Sequence, residues 1–141
     1  MADLNRFIQA QAQYYNQALD ELRTGHKRSH WMWFIFPQVE GLGSSATSQR
    51  YAIRSLDEAR AYLQHPVLGN RLREMTGLLL NHQDRSAREI FGPIDELKLQ
   101  SCMTLFDGID NDALFSEVLA LFYAGSRDPF TLTWLKQQID S

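Results

Sequence analysis

The chain has 141 residues, of which 44% are hydrophobic and 22% charged, as expected for one globular domain spanning residues 1–141. Its net charge of −3 gives no support to general nucleic-acid binding, and its single cysteine excludes an intramolecular disulfide. The N-terminus lacks a secretory pattern, and no apolar run approaches the roughly 20 residues of a membrane helix. We therefore expect a cytoplasmic protein without a membrane partner.

The first segment, residues 3–23, has the spacing of an amphipathic helix. Its apolar residues recur three and four positions apart from Leu4 to Leu22, which predicts one buried stripe. Asp3 is positioned to cap the N-terminus. Gly25 stands where glycine commonly ends a helix.

Helix-start and helix-stop residues mark the chain after residue 55. Ser55 and Ser86 are each followed three positions later by glutamate, which is a capping-box pattern, and Gly92-Pro93 predicts a helix end. No segment shows the period-two alternation of a strand. The sequence therefore predicts an all-α fold, a compact single-domain bundle of about six to eight helices with a long loop after the first. The later helices are predicted at residues 55–64, 66–81, 86 to the Gly92-Pro93 break, 95–106, 111–124 and from 128 onward.

The stretch from Gly25 to Ser45 is the most distinctive part of the chain. Six consecutive large apolar residues, 31–36, follow a cluster of basic and polar residues and precede Pro37. Periodicity cannot separate a buried strand from a short buried helix here. We favour one or two turns of helix that begin at His30 and are capped by Ser29, followed by a glycine-containing loop.

This stretch and four further segments carry a resemblance to a known family. The chain resembles the bacterial family known as domain of unknown function 1810, and the resemblance covers nearly its whole length. It implies a compact helical fold but no reaction. The segments that carry it are GHKRSHWMWFIFPQ at 25–38, GLGSS at 41–45, YAIRSLDEARAYLQHPVLGNRL at 51–72, KLQSCMTLF at 98–106 and GSRDPFTLTWL at 125–135.

A fainter likeness connects the chain to the NADAR group of helical proteins that process ADP-ribose-type nucleotides. It rests on Glu58 in one helix and on the segment from Lys98 to Phe106 in another. The likeness suggests Glu58 and Lys98 as catalytic residues, because cleavage of a glycosidic bond needs a carboxylate near the ribose and stabilisation of the departing base. The alternative for Glu58 is a purely structural role in the capping box that begins at Ser55.

Lys27, Arg28 and Ser29 precede the predicted helix start and form an anion-site pattern, because helix N-termini present free amides and basic side chains add charge-assisted hydrogen bonds. The alternative is a solvated loop. His26 and His30, four apart, are candidates for acid–base chemistry or a shared metal. A third ligand at suitable spacing is absent, so we expect no metal and no cofactor.

The apolar residues of this stretch suggest how a ring would be held. Trp31 or Trp33 is a candidate stacking surface, although both are also typical core residues. The Gln38 amide has the donor and acceptor edges that suit a nucleobase. We also assign ligand contacts to Gly43 and Ser44 in the glycine loop, and to Ser101, which shares a helix face with Lys98.

These observations lead to one hypothesis and two alternatives. The leading hypothesis is a pocket for a small anionic, nucleotide-like ligand, extended to N-glycosidic hydrolysis if Glu58 and Lys98 react with it. The first alternative is a non-catalytic interaction module that docks through residues 31–36, which requires an exposed apolar patch there. The second is a nucleic-acid-associated protein. It requires four arginines to join the cluster at 26–30 on one face, namely Arg50, Arg54, Arg60 and Arg71.

Overall fold

A computed structural model describes residues 3–110 and 112–140, and within these ranges the chain forms eight α-helices and no sheet. An isolated parallel bridge between Val39 and Ile53 is the sole β pairing in the described residues. The predicted all-α fold is confirmed. The helices are α1 Asn5–Thr24, α2 Met32–Ile35, α3 Ala46–Arg50, α4 Leu56–Gln64, α5 Leu68–Leu79, α6 Ala87–Asp107, α7 Ala113–Tyr123 and α8 Pro129–Asp140.

The core lies between the C-terminal half of α6 and the helices that pack around it. The ring of Phe106 on α6 contacts Tyr62 on α4 at a centroid distance of 5.7 Å and Phe115 on α7 at 5.9 Å. Tyr62 in turn meets Phe7 of α1 edge-on at 5.1 Å. This aromatic chain joins four helices through fully buried side chains, each of which removes a large apolar area from water.

A buried amide connects α1 to the short helix α2. Gln11 is 1% exposed, and its side-chain nitrogen donates to the Phe34 carbonyl oxygen at 2.7 Å and to the Tyr62 hydroxyl at 3.0 Å. Because a buried polar group without partners is costly, these bonds fix the position of α2 against α1. Gln11 therefore holds the segment that contains Trp33 against the core.

Most predicted helix ends are confirmed by their capping residues. Gly25 ends α1 in the left-handed conformation with φ 77°. Ser86 begins α6 with a complete capping box to Glu89. Gly92 has φ 86° and ψ 169°, which is non-helical backbone, so the helix break predicted at Gly92-Pro93 is confirmed and α6 consists of two helical segments that meet there. At the N-terminus Leu4 occupies the cap position, and the Asp3 carboxylate accepts from the Asn5 amide at 3.0 Å.

The predicted start of α2 is wrong by two residues. The helix is a single turn whose cap position is Trp31, and no side chain caps it. Ser29 does not act as the cap because its hydroxyl donates to Glu21. The next helix, α3, begins at Ala46 after the glycine-containing loop, and the Ser45 side chain caps it by accepting from the Ser48 amide.

Among the described residues, no helix is both long enough and apolar enough to cross a bilayer.

Two glycines of α5 give opposite predictions for alanine substitution. A Cβ on Gly69 would lie 2.0 Å from the backbone oxygen of Leu63, whereas a Cβ on Gly77 would meet nothing within 4 Å. We expect Gly69→Ala to lower the free energy of unfolding by about 1–3 kcal/mol through overpacking. Gly77→Ala should raise it by about 0.5–1 kcal/mol through helix propensity. Urea denaturation measures both, and equal effects from the two variants would contradict this packing.

Candidate functional site

A buried carboxylate near the C-terminal end of α1 organises the turn that leads to α2. Glu21 is 8% exposed and accepts four hydrogen bonds. The donors are the backbone amides of Arg28 at 2.7 Å and Ser29 at 3.0 Å, the Ser29 hydroxyl at 2.7 Å and the Trp31 indole nitrogen at 3.0 Å. The amides that the sequence suggested for an external anion are therefore used by a carboxylate of the protein itself.

Although burial opposes them, these hydrogen-bond donors lower the pKa of the Glu21 carboxyl. Burial by itself raises the pKa of the carboxyl, but the hydrogen bonds from Arg28, Ser29 and Trp31 outweigh it and lower the pKa to about 2. Glu21 is therefore a carboxylate throughout the physiological range, and the turn is built around a permanent negative charge.

This arrangement corrects the ligand contacts expected for three residues. The backbone amides of Arg28 and Ser29 are used by Glu21, and the Arg28 side chain is exposed. The Ser29 hydroxyl also accepts from Gln17. Trp31 is fully buried, so its indole has no surface left for a ligand ring. In this structure the Arg28 and Ser29 amides, the Ser29 hydroxyl and the Trp31 indole N–H serve the fold.

Lys27 enters the interior instead of facing solvent. Its side chain is 7% exposed, its ammonium group lies 2.7 Å from Asp95 Oδ2 on α6, and it also donates to the Ser29 carbonyl oxygen. The second Asp95 oxygen accepts from Lys98 at 3.0 Å. Burial raises the pKa of Asp95, but the two lysines outweigh that effect and lower it below its usual range. Asp95 thus fixes both ammonium groups.

Lys98 and Trp33 meet where two cavities adjoin. The Lys98 ammonium lies 4.7 Å from the centre of the Trp33 ring, within range of a cation–π interaction. We call the two cavities together the Trp33 cleft. The larger, of about 280 Å³, is lined by Trp33, Gln38, Leu42, Leu97, Lys98, Gln100, Ser101 and Asp128. The smaller, of about 90 Å³, is lined by Lys27, His30, Met32, Trp33, Phe34, Thr47, Asp95 and Lys98.

Polar groups of the larger cavity have unused hydrogen-bonding capacity. Gln38 is 1% exposed; its amide nitrogen donates to the Phe36 carbonyl oxygen at 3.3 Å, and its own carbonyl oxygen accepts from none of the described residues. The Ser101 hydroxyl donates to the Leu97 carbonyl oxygen at 3.1 Å, which leaves its lone pairs available. The structure therefore brings Trp33, Gln38, Lys98 and Ser101, four of the predicted site residues, to one cavity.

The glycine loop closes against the cleft at Gly43. A Cβ on Gly43 would lie 2.8 Å from the Trp33 ring and 2.7 Å from Ser48, so only glycine allows the backbone to approach the indole this closely. Ser44 is exposed, and its carbonyl oxygen accepts from the Gln49 amide at 3.2 Å. Gly43 thus shapes the cleft through packing, while Ser44 lies outside both of its cavities.

Comparison with known proteins places the chain in a family. The family model described as a protein of unknown function, DUF1810, matches residues 1–135. The chain belongs to DUF1810. The crystal structure of the conserved hypothetical protein Rv1873 from Mycobacterium tuberculosis matches it with a TM-score of 0.93 and 53% identity, over 95% of this chain and 96% of that one. No curated protein matches, and neither finding supports the fainter likeness to the NADAR group.

The catalytic pair expected from that likeness is not brought together in this DUF1810 protein. Glu58 accepts from the Arg54 backbone amide at 3.0 Å and from Arg6 at 3.1 Å, and it lies outside both cavities that Lys98 lines. The Ser55 hydroxyl accepts from the Glu58 amide, as in half of a capping box. Glu58 therefore has a structural role at the start of α4, but its side chain accepts from the Arg54 amide instead of the Ser55 amide that a complete capping box uses.

The alternative docking surface at residues 31–36 is also wrong. Trp33 is half-buried in the cleft, and each of the other five residues of segment 31–36 is at most 6% exposed. A docking surface needs exposed apolar area, which this DUF1810 segment does not offer.

His26 and His30 are both exposed and precede α2 rather than sharing a helix, so they lack the helical i, i+4 geometry that a shared metal requires. His30 lines the smaller cavity beside Lys98. Within residues 3–110 and 112–140, no group of three or more His, Cys, Asp or Glu side chains is arranged to hold a metal ion.

Three acidic residues of the site were not predicted from the sequence. Glu21 follows Ala18 by three positions and so falls on the buried stripe of α1, which is an available signal for a partnered carboxylate. Asp95 precedes Lys98 by three positions on one helix, which indicates an ion pair. Asp128 carries no comparable signal, because only the tertiary fold brings it to the cleft.

Replacement of Glu21 tests the role of this carboxylate. Glu21→Gln should lower the free energy of unfolding at pH 7 by about 1–3 kcal/mol, because one carbonyl oxygen cannot serve four donors. The folded-state pKa of about 2 lies below the ordinary value of 4.5. The stabilisation is therefore complete above pH 4.5 and is lost as the pH falls toward 2.

Urea midpoints measured between pH 7 and pH 2 check this prediction. The wild type should lose more stability over that range than Glu21→Gln, which has no carboxyl to titrate at this position. Asp20→Asn, at an exposed position beside Glu21 on α1, is the matched control and should follow the wild-type curve closely. Parallel curves for the wild type and Glu21→Gln would show that Glu21 does not have the assigned pKa.

Proposed function

We propose that the Trp33 cleft binds a small ligand of the mononucleotide class, with its ring against Trp33 and its anionic group at Lys98. The observation that carries the proposal is the position of the Lys98 ammonium, 4.7 Å from the Trp33 ring centre at the junction of the two cavities. A cation beside an apolar aromatic wall suits a molecule that has both a ring and a negative charge.

Lys98, rather than Lys27, is the cation available to a ligand. Lys27 donates to Asp95 and to the Ser29 carbonyl oxygen and faces the Trp31 ring at 5.0 Å, so its donors are satisfied. Lys98 donates to Asp95 and faces Trp33, which leaves one N–H for a ligand. In this proposal Lys27 orients Asp95, and Asp95 orients Lys98.

The ring-binding half of the proposal rests on the walls of the larger cavity. Trp33, Leu42 and Leu97 supply apolar surface. The free carbonyl oxygen of Gln38, which is 1% exposed, supplies one hydrogen-bond acceptor at a fixed position. A planar ring with an N–H or amino donor at its edge satisfies both features, and a nucleobase is such a ring.

The size of the cleft limits the ligand. Binding pockets for small molecules typically hold about 300–1,000 Å³. The cavities here measure about 280 Å³ and 90 Å³, and only together do they reach the lower end of that range. This size favours a mononucleotide over ADP-ribose, which has a second phosphate and a second ribose.

Ligand-induced stabilisation tests the proposal. We expect AMP, GMP, CMP or UMP at millimolar concentration to raise the melting temperature, because a ligand that binds only the folded state stabilises it. Calorimetric titration with the best of the four should show that Lys98→Met weakens binding by about tenfold or more, the effect of losing one charge-assisted hydrogen bond. Arg28→Gln is the matched control, since Arg28 is an exposed cation outside the cleft.

No stabilisation by any of the four nucleotides would overturn the proposal, as would equal losses from Lys98→Met and Arg28→Gln. Including ADP-ribose tests the size argument directly, because stronger binding of ADP-ribose contradicts it. Chromatography of the incubated samples reports separately whether the N-glycosidic bond is cleaved.

A further inference from the structure

Asp128 lines the larger cavity and has a carboxylate oxygen that the fold does not use. Its Oδ2 accepts from the Thr131 amide at 3.0 Å and from the Thr131 hydroxyl at 2.5 Å, which caps α8. Its backbone amide donates to the Thr104 hydroxyl at 3.1 Å. Its Oδ1 accepts from none of the described residues. Capping therefore explains one carboxylate oxygen, and the other remains available on a residue that lines the cleft.

Several groups around Asp128 have free acceptor positions. The free Gln38 carbonyl oxygen and the lone pairs of Ser101 line the same cavity. Gln100 donates its amide nitrogen to the Ser126 carbonyl oxygen at 3.0 Å, which leaves its own carbonyl oxygen as a further acceptor. A ligand that fills this end must bring hydrogen-bond donors, because each of these acceptors loses its water on binding.

The negative charge of Asp128 is not neutralised by a neighbour. No ion pair within the described ranges includes Asp128, and the adjacent Arg127 is engaged with Asp107 at 2.7 Å. A phosphate at this end would be repelled, whereas Lys98 attracts it at the junction with the smaller cavity. The cleft is therefore polarised, with an acceptor end at Asp128 and a cationic position at Lys98.

We propose that Asp128 selects for the vicinal hydroxyl groups of a pentose, so that the ligand class is the ribonucleotides. This inference rests on the proposed function of the Trp33 cleft. A free carboxylate oxygen is a strong acceptor for sugar hydroxyls, and hydrogen bonds to a charged group exceed those to a neutral one in strength. Ser101 supplies the second acceptor that two adjacent hydroxyls require, because the Gln38 carbonyl oxygen is assigned to the ring.

The test compares one nucleotide with and without its hydroxyls. Whichever of AMP, GMP, CMP and UMP binds best is titrated calorimetrically beside its 2′,3′-dideoxy form. The wild type should bind the ribonucleotide at least tenfold more tightly. In Asp128→Asn, which preserves the cap because asparagine caps helices as well as aspartate does, this preference should fall by fivefold or more. Glu117→Gln, an exposed charge-matched change on α7, should keep the wild-type preference.

The outcomes separate this inference from the proposed function. If the ribo and dideoxy forms bind the wild type equally, the hydroxyl selection is overturned while nucleotide binding stands. If the preference exists but survives in Asp128→Asn with an unchanged melting temperature, another residue provides it and the assignment to Asp128 is overturned. If none of the four nucleotides binds, both proposals fail together.

Discussion

The hydrogen bonds accepted by Glu21 are the interaction on which the architecture of the site depends. A buried carboxylate is costly unless its lone pairs are satisfied, and here two backbone amides, a hydroxyl and an indole N–H satisfy them. Since these donors come from three residues of the turn between α1 and α2, the turn has one low-energy conformation. That conformation directs Lys27 inward toward Asp95 and buries Trp31 completely.

The two indoles of this segment have different roles because they lie two positions apart on a one-turn helix. Side chains at that spacing point roughly 200° apart, so both cannot face the same interior. Trp31 takes the core position against Phe36 and Phe91, with its N–H committed to Glu21. Trp33 is left to form the wall that Lys98 and Gly43 approach. Trp33 therefore forms the cleft wall because Trp31 takes the core position.

The elements that could be predicted from sequence are those governed by local chemistry. Gly25 ends α1, Ser86 begins α6 and the all-α class follows from apolar spacing, because each depends on neighbours within four residues. The site residues depend on partners much farther away. Arg28 and Ser29 looked like free donors because the sequence does not show that Glu21 folds back onto them. Glu58 was considered catalytic because of the NADAR likeness, and the sequence does not show its contact with Arg6, 52 positions away.

The network of Lys27, Asp95 and Lys98 contributes little to the free energy of folding for the charge that it buries. The three side chains are 7%, 17% and 23% exposed, so their charges are largely removed from water. Buried ion pairs often contribute no more than apolar residues of the same volume, because the desolvation cost offsets the attraction. An apolar trio would fill this space as well but would not hold an ammonium group beside Trp33. The arrangement is explained better by the position it imposes on Lys98 than by the free energy of folding, and that position is the one a ligand in the cleft would meet.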